Sequence, residues 1–209
     1  SKIGSIGDIV CFSFDGIKNI TCGEGGAILT KDKKIIQKVK NARLLGVEKD
    51  TQKRYSGKRS WTYNASNQGW RYHMSNIMAA IGIEQLNRFP NFAEKRQNLA
   101  KRYDKLFTNE KRISIISHDY NTVVPHIYVV RISKLKNREL LQKKLLQKGI
   151  EVGYHYHPNH WLSYYKNKKE KSLNVTDTIF PELLSLPLHP DLSKSDVEYV
   201  VSELIALIK

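Results

Sequence analysis

Phe12-Ser13-Phe14-Asp15-Gly16-Ile17-Lys18-Asn19-Ile20-Thr21-Cys22-Gly23-Glu24-Gly25-Gly26 is the stretch on which the fold of this chain turns. The apolar run Ile9–Phe14, rich in β-branched and aromatic residues, predicts a buried strand. Asp15–Asn19 and Gly23–Gly26 are turn signals, and Ala27–Thr30 predicts a second strand. Lys18 therefore sits in a tight connection between two apolar strands. A poorly solvated lysine favours its neutral amine, the form that condenses with an aldehyde. Ser13, five residues earlier, offers a hydroxyl suited to a phosphate oxygen. The glycines let the backbone approach a flat cofactor or its own neighbours closely. A solvated turn lysine is the plainer alternative.

Outward from this stretch, residues 32–45 predict a helix with Ile35, Ile36, Val39 and Leu44 on one side. Residues 46–70 are polar and rich in breakers, a long loop of the kind that is usually functional. Its Arg54, Lys58 and Arg59 suit a diphosphate. Ser75 is the expected N-cap of a helix through Ile77, Ala80, Ile81 and Leu86, which Pro90 is expected to interrupt. A second amphipathic stretch covers 92–107. From about 113 the pattern is α+β. Ile127–Ile132 reads as a strand. Arg138–Lys148 reads as a helix with Leu141, Leu145 and Leu146 inward and Gly149 as its cap. Ile150–Tyr156 reads as a strand. Ser193–Ile208 reads as a helix opened by a capping box at Ser193/Asp196 or Ser195/Glu198.

The chain has 209 residues, 40% of them hydrophobic and 26% charged, which suits a folded protein rather than a disordered one. This length predicts one domain or two small ones of roughly 100–200 residues. No apolar run approaches the ~20 residues of a membrane span, and no signal peptide is visible. Two cysteines, Cys11 and Cys22, are too few for a disulfide framework and point to a reducing cytoplasm. The formal charge of +15 is spread along the chain, which a genome that favours lysine over arginine explains most simply; a phosphorylated small molecule is the next reading, ahead of nucleic acid. Tyr164-Tyr165 before Lys166–Lys171 is a weak match to a stacking-and-charge grip on single strands. His155, His157 and His160 do not follow a recurrent zinc spacing, so no metal is expected.

Several of these segments resemble, in family order, the DegT-type nucleotide-sugar aminotransferases, which are fold-type I enzymes dependent on pyridoxal phosphate (PLP). Ser13-Phe14, Lys18, Thr21 and Gly23–Gly26 resemble the motif of the cofactor-binding lysine. Gly69-Trp70-Arg71-Tyr72-His73-Met74-Ser75, running into Ala79–Gly82 and Gln85-Leu86, is similar to the segment after the long loop. Pro125-His126-Ile127-Tyr128 is similar to the small-domain strand. Gly153–Tyr156 with His160, Phe180-Pro181-Glu182 and Ser185–Pro190 resemble the C-terminal signature.

The resemblance implies an α/β fold: the C-terminal part of a PLP-dependent transferase, with a partial large domain and helical connector over 1–107 and a small α+β domain over 108–209. It implies Lys18 as the catalytic, cofactor-holding base, Ser13 and His73 as phosphate contacts, and His155, with Arg59 of the long loop, on the nucleotide-sugar side. It further implies an amino-acid donor, glutamate by the family pattern, a homodimer, and a role in cell-surface polysaccharide biosynthesis. Family members are about twice as long. Their phosphate loop, ring-stacking aromatic and ring-nitrogen acid have no match here, so the chain is expected to be the C-terminal portion of a split or truncated enzyme, a separate N-terminal half being one form of this, or of a longer chain whose N-terminal residues are not included, and the chain alone is expected to be inactive. Two alternatives remain: a related PLP sugar dehydratase, in which histidine replaces the lysine, and a non-catalytic remnant or dimerisation partner.

Overall fold

The computed structural model describes residues 2–48, 64–165 and 173–208. It divides into two compact units, Ser1–Phe89 and Pro90–Lys209. The division lies inside a helix; residue 108 is one past that helix's end.

In the first unit, β1 (Val10–Ser13) and β2 (Gly26–Leu29) form a two-stranded antiparallel sheet, in register from Val10↔Leu29 to Ser13↔Gly26. Both lie within a residue or so of the predicted strands. Helix α1 (Lys33–Ala42) begins at Asp32, whose carboxylate accepts the Lys34 and Ile35 N–H groups. The chain returns past its far end. Leu45 N–H donates to the Trp70 carbonyl, Trp70 N–H to Ala42 and Tyr72 N–H to Arg43. Gly46 and Gly69 make this crossing possible: a Cβ on Gly69 would lie 1.9 Å from the Gly46 nitrogen. Among the described residues of this unit, Cys22 is the only buried apolar side chain.

Helix α2 (Asn76–Phe107) is continuous for 32 residues and contains Pro90. This corrects the expected interruption. A proline deletes a single helical hydrogen bond, here to the carbonyl of Leu86, and the turns on either side keep theirs. Ser75 is the N-cap as predicted, its Oγ accepting the Met78 N–H at 3.2 Å.

The second unit has a three-stranded antiparallel sheet, β3 (Ile113–Ile115), β4 (Tyr128–Ile132) and β5 (Leu183–Leu186), with β4 central. Helices α3 (Arg138–Gln147), α4 (Asn174–Ile179) and α5 (Lys194–Ile208) complete it. Its core gathers Leu99, Tyr103 and Phe107 of α2, Val130 and Ile132 of β4, Leu145 of α3, Leu184 of β5, and Val197 and Leu204 of α5. Tyr103 stacks on Tyr128 at 4.6 Å, and the buried Arg96 donates through Nη1 to the Leu188 carbonyl at 2.9 Å and that of His126 at 3.2 Å. Arg96 thus places its buried charge on two backbone carbonyls outside α2, those of His126 and Leu188.

Two predictions in this unit fail. Leu146 is exposed, because Leu141 and Leu145 lie four residues apart on one helical face and Leu146 stands about 100° further round. Ile150–Tyr156 is not a strand: it meets the sheet only through a bridge between Gly153 and Ser185. Side-chain packing takes over where a ladder was expected. Tyr154 lies edge-on to Phe180 at 5.3 Å and beneath the Arg138 guanidinium, while His155 turns to Ser185.

Candidate active site

The loop between β1 and β2 is ordered by its own polar groups. Ser13 Oγ accepts the Asp15 N–H at 3.3 Å, Asp15 Oδ1 accepts the Ile17 N–H at 3.1 Å, and the Asp15 carbonyl accepts the Lys18 N–H at 3.0 Å. Lys18 is therefore the last residue of a turn whose first is Asp15. Across the loop, Phe14 donates its N–H to the Gly25 carbonyl at 2.8 Å and receives the Cys22 N–H at 3.0 Å. Gly25 and Gly26 face protein. A Cβ on Gly26 would lie 2.7 Å from the Phe12 carbonyl oxygen, and one on Gly25 2.6 Å from Met74 Cε. Lys18 is half-buried, and its Nζ has no hydrogen-bond or ion-pair partner among the described residues.

His73 is exposed and sits between the strap at the end of α1 and the start of α2. With Trp70, Tyr72 and Met74 it lines one side of a cavity of about 900 Å³, with Cys11, Phe12, Gly25 and Gly26 opposite. Ser13 and Lys18 belong to the same hairpin but do not line that cavity. Arg59, with Arg54 and Lys58, lies outside the described residues, as does the Lys166–Lys171 run.

In the second unit, His155 is half-buried and its Nδ1 lies 2.9 Å from Ser185 Oγ. His160 is bound differently: its Nε2 lies 2.6 Å from Asp177 Oδ1, which also accepts the Trp161 indole N–H at 2.7 Å. The His160 hydrogen bond holds the Asp177 carboxyl below the usual carboxylate range against the opposing effect of burial, and the Trp161 hydrogen bond acts in the same direction as His160. The two histidines thus have separate partners, and among the described residues no group of three or more His, Cys, Asp or Glu side chains gathers to hold a metal. Tyr164 and Tyr165 are exposed and meet edge to face at 5.1 Å. No helix among the described residues is long and apolar enough to cross a membrane.

The order of the lysine loop, the aromatic-histidine segment and the small α+β unit has a counterpart in known proteins. The model of the DegT/DnrJ/EryC1/StrS aminotransferase family matches residues 1–205. This chain belongs to the DegT/DnrJ/EryC1/StrS aminotransferase family. It is 32% identical over 212 residues to the UDP-4-amino-4,6-dideoxy-N-acetyl-beta-L-altrosamine transaminase of Campylobacter jejuni, covering 100% of this chain and 54% of that protein. It is 31% identical to the spore coat polysaccharide biosynthesis protein SpsC of Bacillus subtilis, covering 99% of this chain and 55% of that protein. Among solved structures, the sugar aminotransferase Spr1654 of Streptococcus pneumoniae in its PMP form superposes with a TM-score of 0.86 at 31% identity, covering 99% of this chain and 54% of that one. The aminotransferase TlmJ of Streptoalloteichus hindustanus gives a TM-score of 0.85 at 29% identity, covering 99% and 55%. The α/β fold is thus that of sugar aminotransferases, and the chain spans about half the length of the relatives it matches.

Within this DegT/DnrJ/EryC1/StrS chain, sequence reasoning missed Asp15, Ser185 and Asp177. Asp15 carried a local signal, an Asx turn two residues before Ile17. Asp177 carried none and Ser185 only its place in the Ser185–Pro190 segment, since they meet their histidines across 17 and 30 residues.

Proposed function

We propose that the complete protein is a PLP-dependent aminotransferase that moves an amino group, from glutamate or a similar donor, onto a nucleotide-linked keto-sugar. The observation that carries this reading is Lys18: a half-buried lysine, at the end of an ordered turn, with no partner on its amine. An amine tied up by no ion pair leaves Nζ sterically free to reach an aldehyde. Ser13 Oγ accepts from Asp15 and keeps its own proton to donate to a phosphate oxygen. The residues present therefore fit the aldehyde end and part of the phosphate end of PLP. Lys18 would hold the former and Ser13 the latter, with His73, which lines a cavity that Ser13 and Lys18 do not, proposed as a further phosphate contact.

When bound, PLP supplies an electron sink for the pair released as a carbon-bound proton leaves. The chain's own contribution is proton handling and orientation. Lys18 Nζ takes the proton from one carbon and returns it to another, with the turn at Asp15 fixing its reach. In this reading His155 and Arg59 would serve the nucleotide-sugar side. Lys18 also favours amino transfer over the related dehydration, which uses histidine there.

In this reading residues 1–107 are the remainder of a cofactor domain with its connector and 108–209 a small domain. The sparse core of the first unit supports a further stretch of chain, continuous or separate, packed on its exposed Ile3, Ile6, Ile9, Ile28 and Leu29. A homodimer is part of the proposal. The two unpaired cysteines support a reducing cytoplasm. Products of this kind would serve cell-surface polysaccharides.

Incubation with PLP, borohydride reduction and peptide mapping test the reading. One pyridoxyl group on the peptide carrying Lys18 is expected, weakly in the 209-residue chain and strongly once the covering segment is supplied. Turnover by the 209-residue chain alone is expected to be negligible. Label scattered over surface lysines, or none in the completed protein, would reject the enzyme in favour of a non-catalytic remnant.

A further inference from the structure

Ser185 lies in β5, opposite Val129 of β4, and is only 5% exposed. Its backbone exchanges both hydrogen bonds with Gly153, Gly153 N–H to the Ser185 carbonyl at 3.1 Å and Ser185 N–H to the Gly153 carbonyl at 2.8 Å. The bridge sets the serine two residues from His155, where Oγ meets Nδ1 at 2.9 Å. The edge of the imidazole is also fixed: the Tyr156 ring stands against it at 4.7 Å and 82°.

Hydrogen-bond satisfaction then chooses the tautomer. Nδ1 is the only partner of the Ser185 hydroxyl among the described residues. If Nδ1 carried a proton and donated, the buried O–H would have no acceptor, and an unmade buried donor is the costly case. If the hydroxyl donates, one oxygen lone pair goes unused, which costs less. The neutral ring then carries its proton on Nε2, which has no partner among the described residues. A histidine's second nitrogen is set by what the first one meets.

We propose that Ser185 is a positioning residue that holds His155 as its Nε2–H tautomer, so that the ring presents a hydrogen-bond donor rather than a base. The ligand group it suits is an oxygen that only accepts, such as a phosphate or keto oxygen. That use rests on the placement of His155 on the nucleotide-sugar side proposed above; the tautomer does not.

The test is long-range nitrogen–proton correlation NMR of the 209-residue chain at about pH 8, where an ordinary histidine is neutral. The expected result is a single His155 tautomer with the proton on Nε2. Ser185→Ala should convert it to a mixture with a substantial Nδ1–H population, and Ser185→Thr, which keeps the hydroxyl, should restore the single form. A wild-type Nδ1–H signal, or a spectrum unchanged in a folded Ser185→Ala chain, overturns the proposal. Should Ser185→Ala fail to fold, the wild-type tautomer and Ser185→Thr decide it. Titration with uridine diphosphate is read separately. An unmoved His155 signal there would count against the substrate-side placement and leave the tautomer assignment standing.

Discussion

Removing the hydroxyl of Tyr128 isolates one strong polar contact without disturbing the packing around it. Tyr128 begins β4 and is 4% exposed; its hydroxyl donates to Asp104 Oδ1 of α2 at 2.6 Å, and its ring stacks on Tyr103. Burial first, then the hydrogen bond to Asp104, pushes that hydroxyl's pKa far up. A hydrogen bond to a charged group contributes roughly 1.5–3 kcal/mol. Asp104 is itself half-buried, so water can recover part of the loss, and the lower end, about 1.5 kcal/mol, is expected for Tyr128→Phe. With a urea m-value of about 1.5 kcal/mol per molar for a unit of this size, the midpoint should fall by about 1 M. Far-UV circular dichroism follows the transition, since Tyr128→Phe leaves the helical and sheet signal in place. A fall smaller than about 0.3 M at constant m-value would show that the carboxylate loses nothing, refuting the charge-assisted assignment.

Leu204→Ala, at a position with no exposed surface in the core of α5, should cost about 2–5 kcal/mol and be read in the same urea titration. Gly26→Ala should disrupt the hairpin, since its Cβ would meet the Phe12 carbonyl at 2.7 Å; peptide mapping after borohydride reduction should then show loss of selective labelling at Lys18. Acid should destabilise the second unit. The carboxyls of Asp177 (through His160), Glu182 (through Arg131) and Asp196 (through Ser193) are all depressed in the fold. Their stabilisation is complete above the unfolded carboxylate pKa of about 4 and is lost as pH falls through the lower folded values, so Tm should drop below about pH 4 and drop less in Asp177→Asn.

What was legible in the sequence was local. The α5 pattern named Val197, Val200, Val201, Leu204 and Ile208, and all are buried. The capping box formed at Ser193/Asp196, with Asp196 Oδ2 accepting the Ser193 N–H at 2.8 Å and Ser193 Oγ the Asp196 N–H at 3.1 Å. Gly149 takes its left-handed φ of +73° after α3. Each depends on groups within a few residues, so the sequence states it directly. The sheet partners were less legible. Nothing in Leu183–Leu186 alone says that it flanks β4 from the side opposite β3.

By itself, the sequence determined a lysine in a glycine-rich turn between two strands, a capped and patterned terminal helix, and membership of an aminotransferase family through motifs in order. Only the tertiary structure decided that Pro90 is carried through an unbroken helix, that Ile150–Tyr156 packs by side chains instead of pairing, and that His155 answers to Ser185 and His160 to Asp177. The reason is range. Caps, turns and helical faces are fixed by neighbours along the chain, whereas a buried hydroxyl or carboxylate takes whichever partner the fold brings to it.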